Sequence, residues 1–423
     1  MIAPLTPLEA YRTDLDRLHR RTEFGNADTV WLLLAHCLGR LSRIGEPVRD
    51  QIAMQSASAL RDLADSADGL PVEDAAHLAD LRLMVAGLSA IDTRVGADAV
   101  SRACRGFAAR MSEAGALTVA YSVLGYARSV ACDASDRERG LLIADQARVA
   151  RQLGELDSAE ELYRTAAAIG ERSSDNELLA RSTLGRGVIA RVRGNYPRAR
   201  TLFRHGLNLA SNAGSRELEF FAHQGLTIVC NVTGDFSAGI THGWEAFRLG
   251  VGDPVREAET LTNLAQTCVD CGYPRAALRS FLAALSRTDI LRIRLAALGG
   301  AALSSGLLQD RTLLTRLTYE IGQTVQRSSL PYENAMALYH VSAGFIAVGD
   351  DISAERHRQE VQKIAKARGY FELLHQTERD ELARAAAQAG RRELDSTSRD
   401  VVESLESFEP FSEELAFTVR CSG

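Results

Sequence analysis

Apolar residues recur at helical spacing along almost the whole chain, with polar residues between them. Ala and Leu dominate and runs of β-branched residues are scarce, which favours helix nearly everywhere. Before residue 136 the pattern predicts six helices, broken at Gly45–Pro47, at Asp68–Pro71 and at Gly96. They are 7–23, 27–44, 47–65, 73–93, 97–114 and 116–132. The pattern therefore predicts an all-α protein.

From residue 136 onward the pattern repeats with a period near 40 residues. Glycines followed by a polar segment and then a small residue mark each copy. The clearest copy is GNYPRARTLF at Gly194, and a weaker member falls at Gly306. The five strong glycines are Gly154, Gly194, Gly234, Gly272 and Gly349. Regular spacing of this kind predicts one structural unit that recurs.

Fixed offsets around these glycines carry residues of one type. Small residues stand five positions after the glycine: Ala159, Ala199, Gly239, Ala277 and Ala354. Aromatic residues stand nine after it in three copies, Tyr163, Phe203 and Phe281, and small residues seven before it, Ala147, Gly187, Ala265 and Gly299. We expect two amphipathic helices that cross closely at the small residues, joined by a turn in which glycine takes a left-handed backbone. Pro197 and Pro274 then begin second helices.

These offsets resemble the tetratricopeptide repeat (TPR) family. The long period is similar to the repeats of MalT-like and LuxR-type regulators and of the peptide-sensing RRNPP regulators. The resemblance covers roughly residues 136–370 and implies an all-α, right-handed superhelical solenoid of antiparallel helix pairs. Two copies depart from it. Gly239 and Gly243 replace the alanine and the aromatic after Gly234, and Arg311 stands where a small residue is expected after Gly306, so both should pack less regularly.

Three regions follow from these patterns. Residues 136–370 form the repeat array, and residues 371–423 form a polar, solvent-facing capping helix and an acidic tail. Residues 1–135 are either degenerate repeats or a separate helical bundle. The apolar cluster at Trp31 favours core burial, and homo-oligomerisation stays open.

Composition and charge exclude several function classes. The 423 residues are 46% hydrophobic and 25% charged, as in folded proteins. A net charge of −6 argues against direct nucleic-acid binding. The N-terminus lacks the basic start and apolar core of a signal peptide, and no apolar run is long enough for a membrane helix, so we expect a cytoplasmic, bacterial-like protein. Seven scattered cysteines agree with a reducing compartment.

Few residues offer chemistry. Cys268 and Cys271 form a CxxC, but a structural zinc site usually needs a second pair, so we interpret them as packing cysteines. His205, His223 and His242 fall on successive helices without an HExxH or a two-histidine face, and we interpret them as ordinary. No nucleophile or phosphate-binding motif is found, so we expect no catalytic residue, metal or cofactor.

The resemblance also implies a binding groove lined by the first helix of each pair. The residues predicted to bind a ligand there are Arg148, Arg151, Arg181, Arg191, Gln224, Asn231 and Gln266. Arginine forks suit carboxylates or phosphates, and amides can pair with a peptide backbone. Toward the C-terminus the predicted lining becomes apolar. We therefore expect a peptide or protein segment with an acidic end.

The favoured function is a non-enzymatic regulator or scaffold that captures a protein or peptide in this groove. Two alternatives stay open. The chain is the sensory half of a larger signalling protein with a DNA-binding or catalytic output, or it is a regulator-type phosphatase in which Gln51 or Gln55 orients water, as in some RRNPP relatives.

Overall fold

The computed structural model describes residues 94–388 apart from residue 114 and residues 131–133. Within these residues the chain forms fifteen α-helices that pack in consecutive antiparallel pairs, which confirms the predicted all-α, TPR-like class. None of these helices is both long and apolar enough to cross a membrane. The predicted helices before residue 94, the Trp31 cluster, Gln51, Gln55 and the acidic tail lie outside the described residues.

The described helices divide between two compact units. The first unit consists of two segments, one that ends at Leu153 and one that spans Asp157–Leu178. Its helices are α1 (Arg94–Glu113), α2 (Leu117–Val130), α3 (Asp136–Gln152) and α4 (Leu156–Ser173). Leu141, Ile169 and Leu178 belong to its apolar core, and both α1 and α2 pack on α3. The boundaries of the three predicted regions stay predictions.

The second unit takes Gly154–Leu156 and continues from Leu179, so the first three residues of α5 belong to the first unit. Its helices are α5 (Asn176–Val192), α6 (Tyr196–Asn212), α7 (Arg216–Val232), α8 (Phe236–Gly250), α9 (Pro254–Asp270), α10 (Pro274–Leu285), α11 (Leu291–Leu307), α12 (Arg311–Arg327), α13 (Pro331–Ala347), α14 (Asp351–Arg368) and α15 (Phe371–Gln388). The odd-numbered helices are the first helices of the pairs. Each even-numbered helix follows its partner across a short turn.

The turns between paired helices repeat one backbone motif. At the second pair the Gly194 N–H donates to the Arg191 carbonyl and the Asn195 N–H donates to the Ala190 carbonyl. This pair of bonds is the Schellman motif, and it needs a left-handed residue at Gly194, whose φ is 73°. The Asn195 side chain then accepts from the Arg198 N–H and caps α6. The predicted turn glycines at 154, 234, 272 and 349 also have positive φ.

The weak copy at Gly306 is the exception, and its predicted register is wrong. Gly306 lies inside α11, and the left-handed residue of the turn is Gln309, with φ 61°. The Gln309 and Asp310 N–H groups make the same two bonds as at the other turns. Five positions after Gln309 stands Leu314, which is fully buried and takes the place predicted for Arg311. Gly306 is small for a different reason: it faces Gly344 of α13.

The recurring small and aromatic residues occupy the core as predicted. Ala159, Ala199, Ala277 and Ala354 are buried, as are Tyr163, Phe203 and Phe281. In the second unit the Phe203 ring fills the space beside Gly187 of its own pair and Gly225 of the next, so a Cβ at either glycine would collide with it. Where Gly243 replaces the aromatic, the Leu264 side chain fills that space. The departure is thus compensated by a neighbouring repeat.

Candidate functional site

The first helices of the second unit form a continuous row. α7 packs on α9, α9 on α11, α11 on α13 and α13 on α15. Arg181 of α5 lies 3.8 Å from Glu217 of α7, which extends the row to α5. We call the side chains along α5, α7, α9, α11, α13 and α15 the first-helix row. Five of the seven predicted ligand-binding residues belong to it.

Polar side chains link neighbouring helices of the row. The Gln224 amide of α7 donates to the Thr260 hydroxyl of α9 at 2.6 Å and accepts from the Asn263 amide. Asn231, also on α7, donates to Thr267 of α9 at 2.8 Å. Gln224 and Asn231 are buried, so these bonds join adjacent repeats and each contributes about 1 kcal/mol.

Arg191, one of the predicted ligand-binding residues, forms a buried ion pair. It leaves the end of α5 and lies 2.5 Å from Glu372 at the start of α15. Its guanidinium also donates to the Tyr332 hydroxyl of α13 at 2.7 Å, and that hydroxyl donates to Glu372. Side-chain exposure is 8% for Arg191 and 0% for Glu372. We call Arg191, Tyr332 and Glu372 the closing triad, because they join the first helix of the row to the last.

Burial and charge act in opposite directions in the closing triad. Loss of water alone would lower the pKa of Arg191, but Glu372 and Tyr332 outweigh it and hold that pKa above its usual value. Loss of water raises the pKa of Tyr332 well above 10.0. The arginine stays charged and the tyrosine stays protonated, so the triad is an ion pair bridged by a hydroxyl.

A second set of contacts closes the row beside the triad. Arg368 donates to Glu155 at 2.6 Å. Tyr370, Arg368 and Pro331 stand so close to Gly154 that a side chain there would meet all three. Tyr370 is fully buried. α15 was predicted to be solvent-facing, but one face of its first turn is internal, because Glu372 and Leu373 are both buried while Phe371 is exposed.

The first-helix row also carries two carboxyls with raised pKa values, Asp380 and Asp270. Asp380 of α15 accepts from the Tyr339 hydroxyl of α13 at 2.8 Å, and burial raises its pKa. Asp270 accepts from Gln266 one turn earlier on α9 at 3.0 Å. Part of Asp270 is exposed to solvent. Loss of water around its carboxyl nevertheless raises its pKa to about 7, although the hydrogen bond from Gln266 and the charge of Arg379 act to lower it. Of the three amide side chains predicted to bind a ligand, Gln224 and Asn231 are hydrogen-bonded to a neighbouring helix, whereas Gln266 is hydrogen-bonded within its own helix.

The remaining predicted ligand-binding residues lie in the first unit. Arg148 and Arg151 are half-buried on α3, and Arg148 donates to Gln152 on the same helix at 3.5 Å. They are thus separated by unit from Arg181, Arg191, Gln224, Asn231 and Gln266. The ligand-binding role of all seven stays a prediction.

The sequence interpretation of the cysteines agrees with their environment. Cys268 is buried in α9, and Cys271 caps its C-terminus with a pKa raised to about 12 by burial. A thiol so rarely ionised is a poor ligand and nucleophile. Among the residues that the structure describes, no group of three or more His, Cys, Asp and Glu side chains is placed to hold a metal ion.

Several contacts escaped sequence reasoning. Glu372 is flanked by Phe371, Leu373 and Leu374, and a carboxylate inside an apolar turn was the available signal for a buried partner. Nothing in the sequence pairs it with Arg191, 181 residues away. His223 and His242 were interpreted as ordinary, but their Nδ1 atoms lie 3.1 Å apart.

Comparison with known proteins agrees with this architecture. Residues 141–212 match the family model described as tetratricopeptide repeat. No curated protein matches the chain by sequence.

Solved structures extend the likeness over most of the chain. A Rap protein crystallised in complex with competence and sporulation factor superposes with a TM-score of 0.56 at 12% identity, covering 79% of this chain and 98% of its own. A signal transduction ATPase with a tetratricopeptide repeat sensor, from Pyrococcus horikoshii, gives a TM-score of 0.42 at 12% identity, covering 89% of this chain and 66% of its own. At this identity the Rap likeness shows a shared fold.

Proposed function

We propose that this chain, a tetratricopeptide repeat protein, is a non-enzymatic regulator or scaffold that binds a protein or peptide segment along the first-helix row. TPR arrays are generally protein-binding, and their stacked first helices offer an extended surface. The observation that carries the proposal is the row itself, which is built from six first helices and closed by the triad.

The row also carries side chains that solvent can reach, beside those that hold the repeats together. Phe221 stands one turn before Gln224 on α7 and is 37% exposed. Because residues three apart are neighbours on a helix surface, Phe221 lies beside Gln224 on α7. Gln266 adds an amide one helix further along, and Asp270 adds a carboxyl. An aromatic anchor beside amide groups suits a peptide or protein segment.

Charge within the row refines the predicted partner. An acidic end was expected from the arginines, but Arg191 is neutralised by Glu372 and Arg181 lies beside Glu217. Arg148 and Arg151 keep the expectation open for the first unit. In the second unit the partner is better described as amphipathic than as acidic.

The test is a quantitative pull-down from the native host with the full chain. Phe221→Asp on α7 should lose the partners that the wild type captures. Tyr319→Asp also replaces an exposed aromatic residue, but on α12, which is the second helix of its pair, and it should keep these partners. Circular dichroism establishes that both variants fold. Equal recovery of every partner by the two variants would exclude the first-helix row as the binding surface.

The structurally similar Rap protein was crystallised with competence and sporulation factor, which supports the proposal that this chain is a regulator. The two alternatives have direct tests. A phosphatase activity that Gln51→Ala or Gln55→Ala abolishes would favour the enzyme, and an in-frame output domain in the gene would favour the sensory half of a larger protein.

A further inference from the structure

Two histidines of the second unit face each other across one helix pair. His223 lies on α7 and His242 on α8, and their Nδ1 atoms are 3.1 Å apart. The ring centroids are 5.2 Å apart and the rings are tilted by 47°, so the rings are not stacked. Both side chains are half-buried, so an ion from solvent can reach them.

The protonation state of the pair leaves a lone pair in the contact. Loss of water lowers the pKa of His223 and of His242, and each is lowered further by a nearby cation or by its partner. At this separation one Nδ1 donates a hydrogen bond and the other accepts it. When a metal ion binds, the donating ring moves its proton to Nε2, and both Nδ1 lone pairs become available to the ion.

The separation fits a metal ion. Imidazole nitrogen binds Zn²⁺ at about 2.0–2.1 Å, so two such ligands on one ion stand about 2.9–3.4 Å apart for bond angles between square and tetrahedral. The observed 3.1 Å lies inside this range, so a rotation of the two rings that turns both lone pairs toward one ion is enough to form the site. Imidazole favours Zn²⁺, Cu²⁺ and Ni²⁺ over Mg²⁺ and Ca²⁺, which prefer oxygen.

The surroundings of the pair set the number of protein ligands. Glu245, one turn after His242 on α8, acts electrostatically on both rings but is paired with Arg248. Arg200 and Arg204 of α6 add positive charge near His242. With no third ligand in place among the described residues, water fills the other coordination positions.

We propose that His223 and His242 form a two-histidine site for a divalent transition-metal ion, which cross-links α7 and α8. The site lies apart from the closing triad and does not depend on the proposed protein-binding function.

The test uses the full chain without an affinity tag and titrates it with Ni²⁺ by calorimetry at pH 7.5. The His223→Ala, His242→Ala double variant supplies the background from the other histidines of the chain. Even loss of an outer-shell partner weakens metal sites by about 10- to 100-fold, so each single variant should weaken binding at least tenfold. Bound metal should also raise the melting temperature of the wild type and not of the variants.

Three controls keep the result unambiguous. His205→Ala removes an exposed histidine, and Cys271→Ser removes a half-buried thiol; both should bind Ni²⁺ like the wild type. Mg²⁺ should give no heat. His223→Gln and His242→Gln replace the alanine variants if those do not fold. Binding that is unchanged in the single variants, or lost equally in His205→Ala, overturns the proposal.

Discussion

At the scale of single residues, burial decides what a polar side chain does. Arg191 is a flexible cation in sequence, but Tyr332 and Glu372 enclose it and only 8% of its side chain remains exposed. Because water is excluded from this site, loss of either partner would leave the other charge buried without compensation. The same exclusion of water lowers the pKa of His340 of α13 to about 4.

Glu372→Gln should lower the free energy of unfolding by about 3–5 kcal/mol, because it leaves the Arg191 charge buried without a counter-charge. Chemical denaturation at pH 7 measures this. The Arg191→Met, Glu372→Leu double variant removes both charges and should recover most of the loss. Equal destabilisation of single and double variants would contradict a buried ion pair.

His340 should make stability fall on acidification. Burial lowers its folded-state pKa from 6.5 to about 4, so between these values the unfolded chain binds the extra proton. Stability is therefore fully present above pH 6.5 and is lost as pH falls toward 4, by on the order of 3 kcal/mol. Denaturation at pH 7 and pH 4.5 should show a smaller loss for His340→Leu than for the wild type. An equal loss would exclude this residue as the cause.

At the scale of helices, small residues set how closely first helices approach. A Cβ at Gly306 of α11 would lie within 2.7 Å of three backbone atoms of Gly344 on α13. A Cβ at Gly299 would likewise meet Ala337. The two backbones thus pack almost in contact, which explains a glycine at 306 although the turn is at Gln309.

Gly306→Ala should destabilise the protein by about 1–3 kcal/mol, because the added methyl group forces α11 from α13. Gly322→Ala on α12 is the matched control, since its Cβ would meet nothing within 4 Å. That change should stabilise by about 0.5–1 kcal/mol through helix propensity. Thermal denaturation of both variants compares them, and a neutral Gly306→Ala would show that the helices separate freely.

At the scale of the second unit, the closing triad connects α15, the last helix of the first-helix row, to α5, the first. α15 packs on α13 and α14 as any further repeat would, and in addition contacts α5 through Glu372 and the Gly194 turn through His375. Contacts between residues so distant in sequence make the first turn of α15 depend on α5.

Arg191→Met should therefore increase amide hydrogen exchange in the first turns of α15, because one of the supports of that helix is removed. Arg198→Met, on the exposed side of α6, should leave exchange there unchanged. Mass spectrometry of peptides from residues 371–380 measures both. Unchanged exchange in Arg191→Met would mean that α13 and α14 hold α15 alone.

The sequence by itself determined the helix pairs, the turn glycines and the buried small and aromatic residues, because these follow from local periodicity and backbone conformation. It misplaced the turn at Gly306, since a glycine needed for close packing looks the same in sequence as one needed for a left-handed turn. Only the tertiary structure decided that Gln224 and Asn231 join adjacent repeats, that Arg191 meets Glu372, and that His223 meets His242. These pairings depend on how successive helices stack, and stacking is set by the sum of many side-chain contacts that no single spacing encodes.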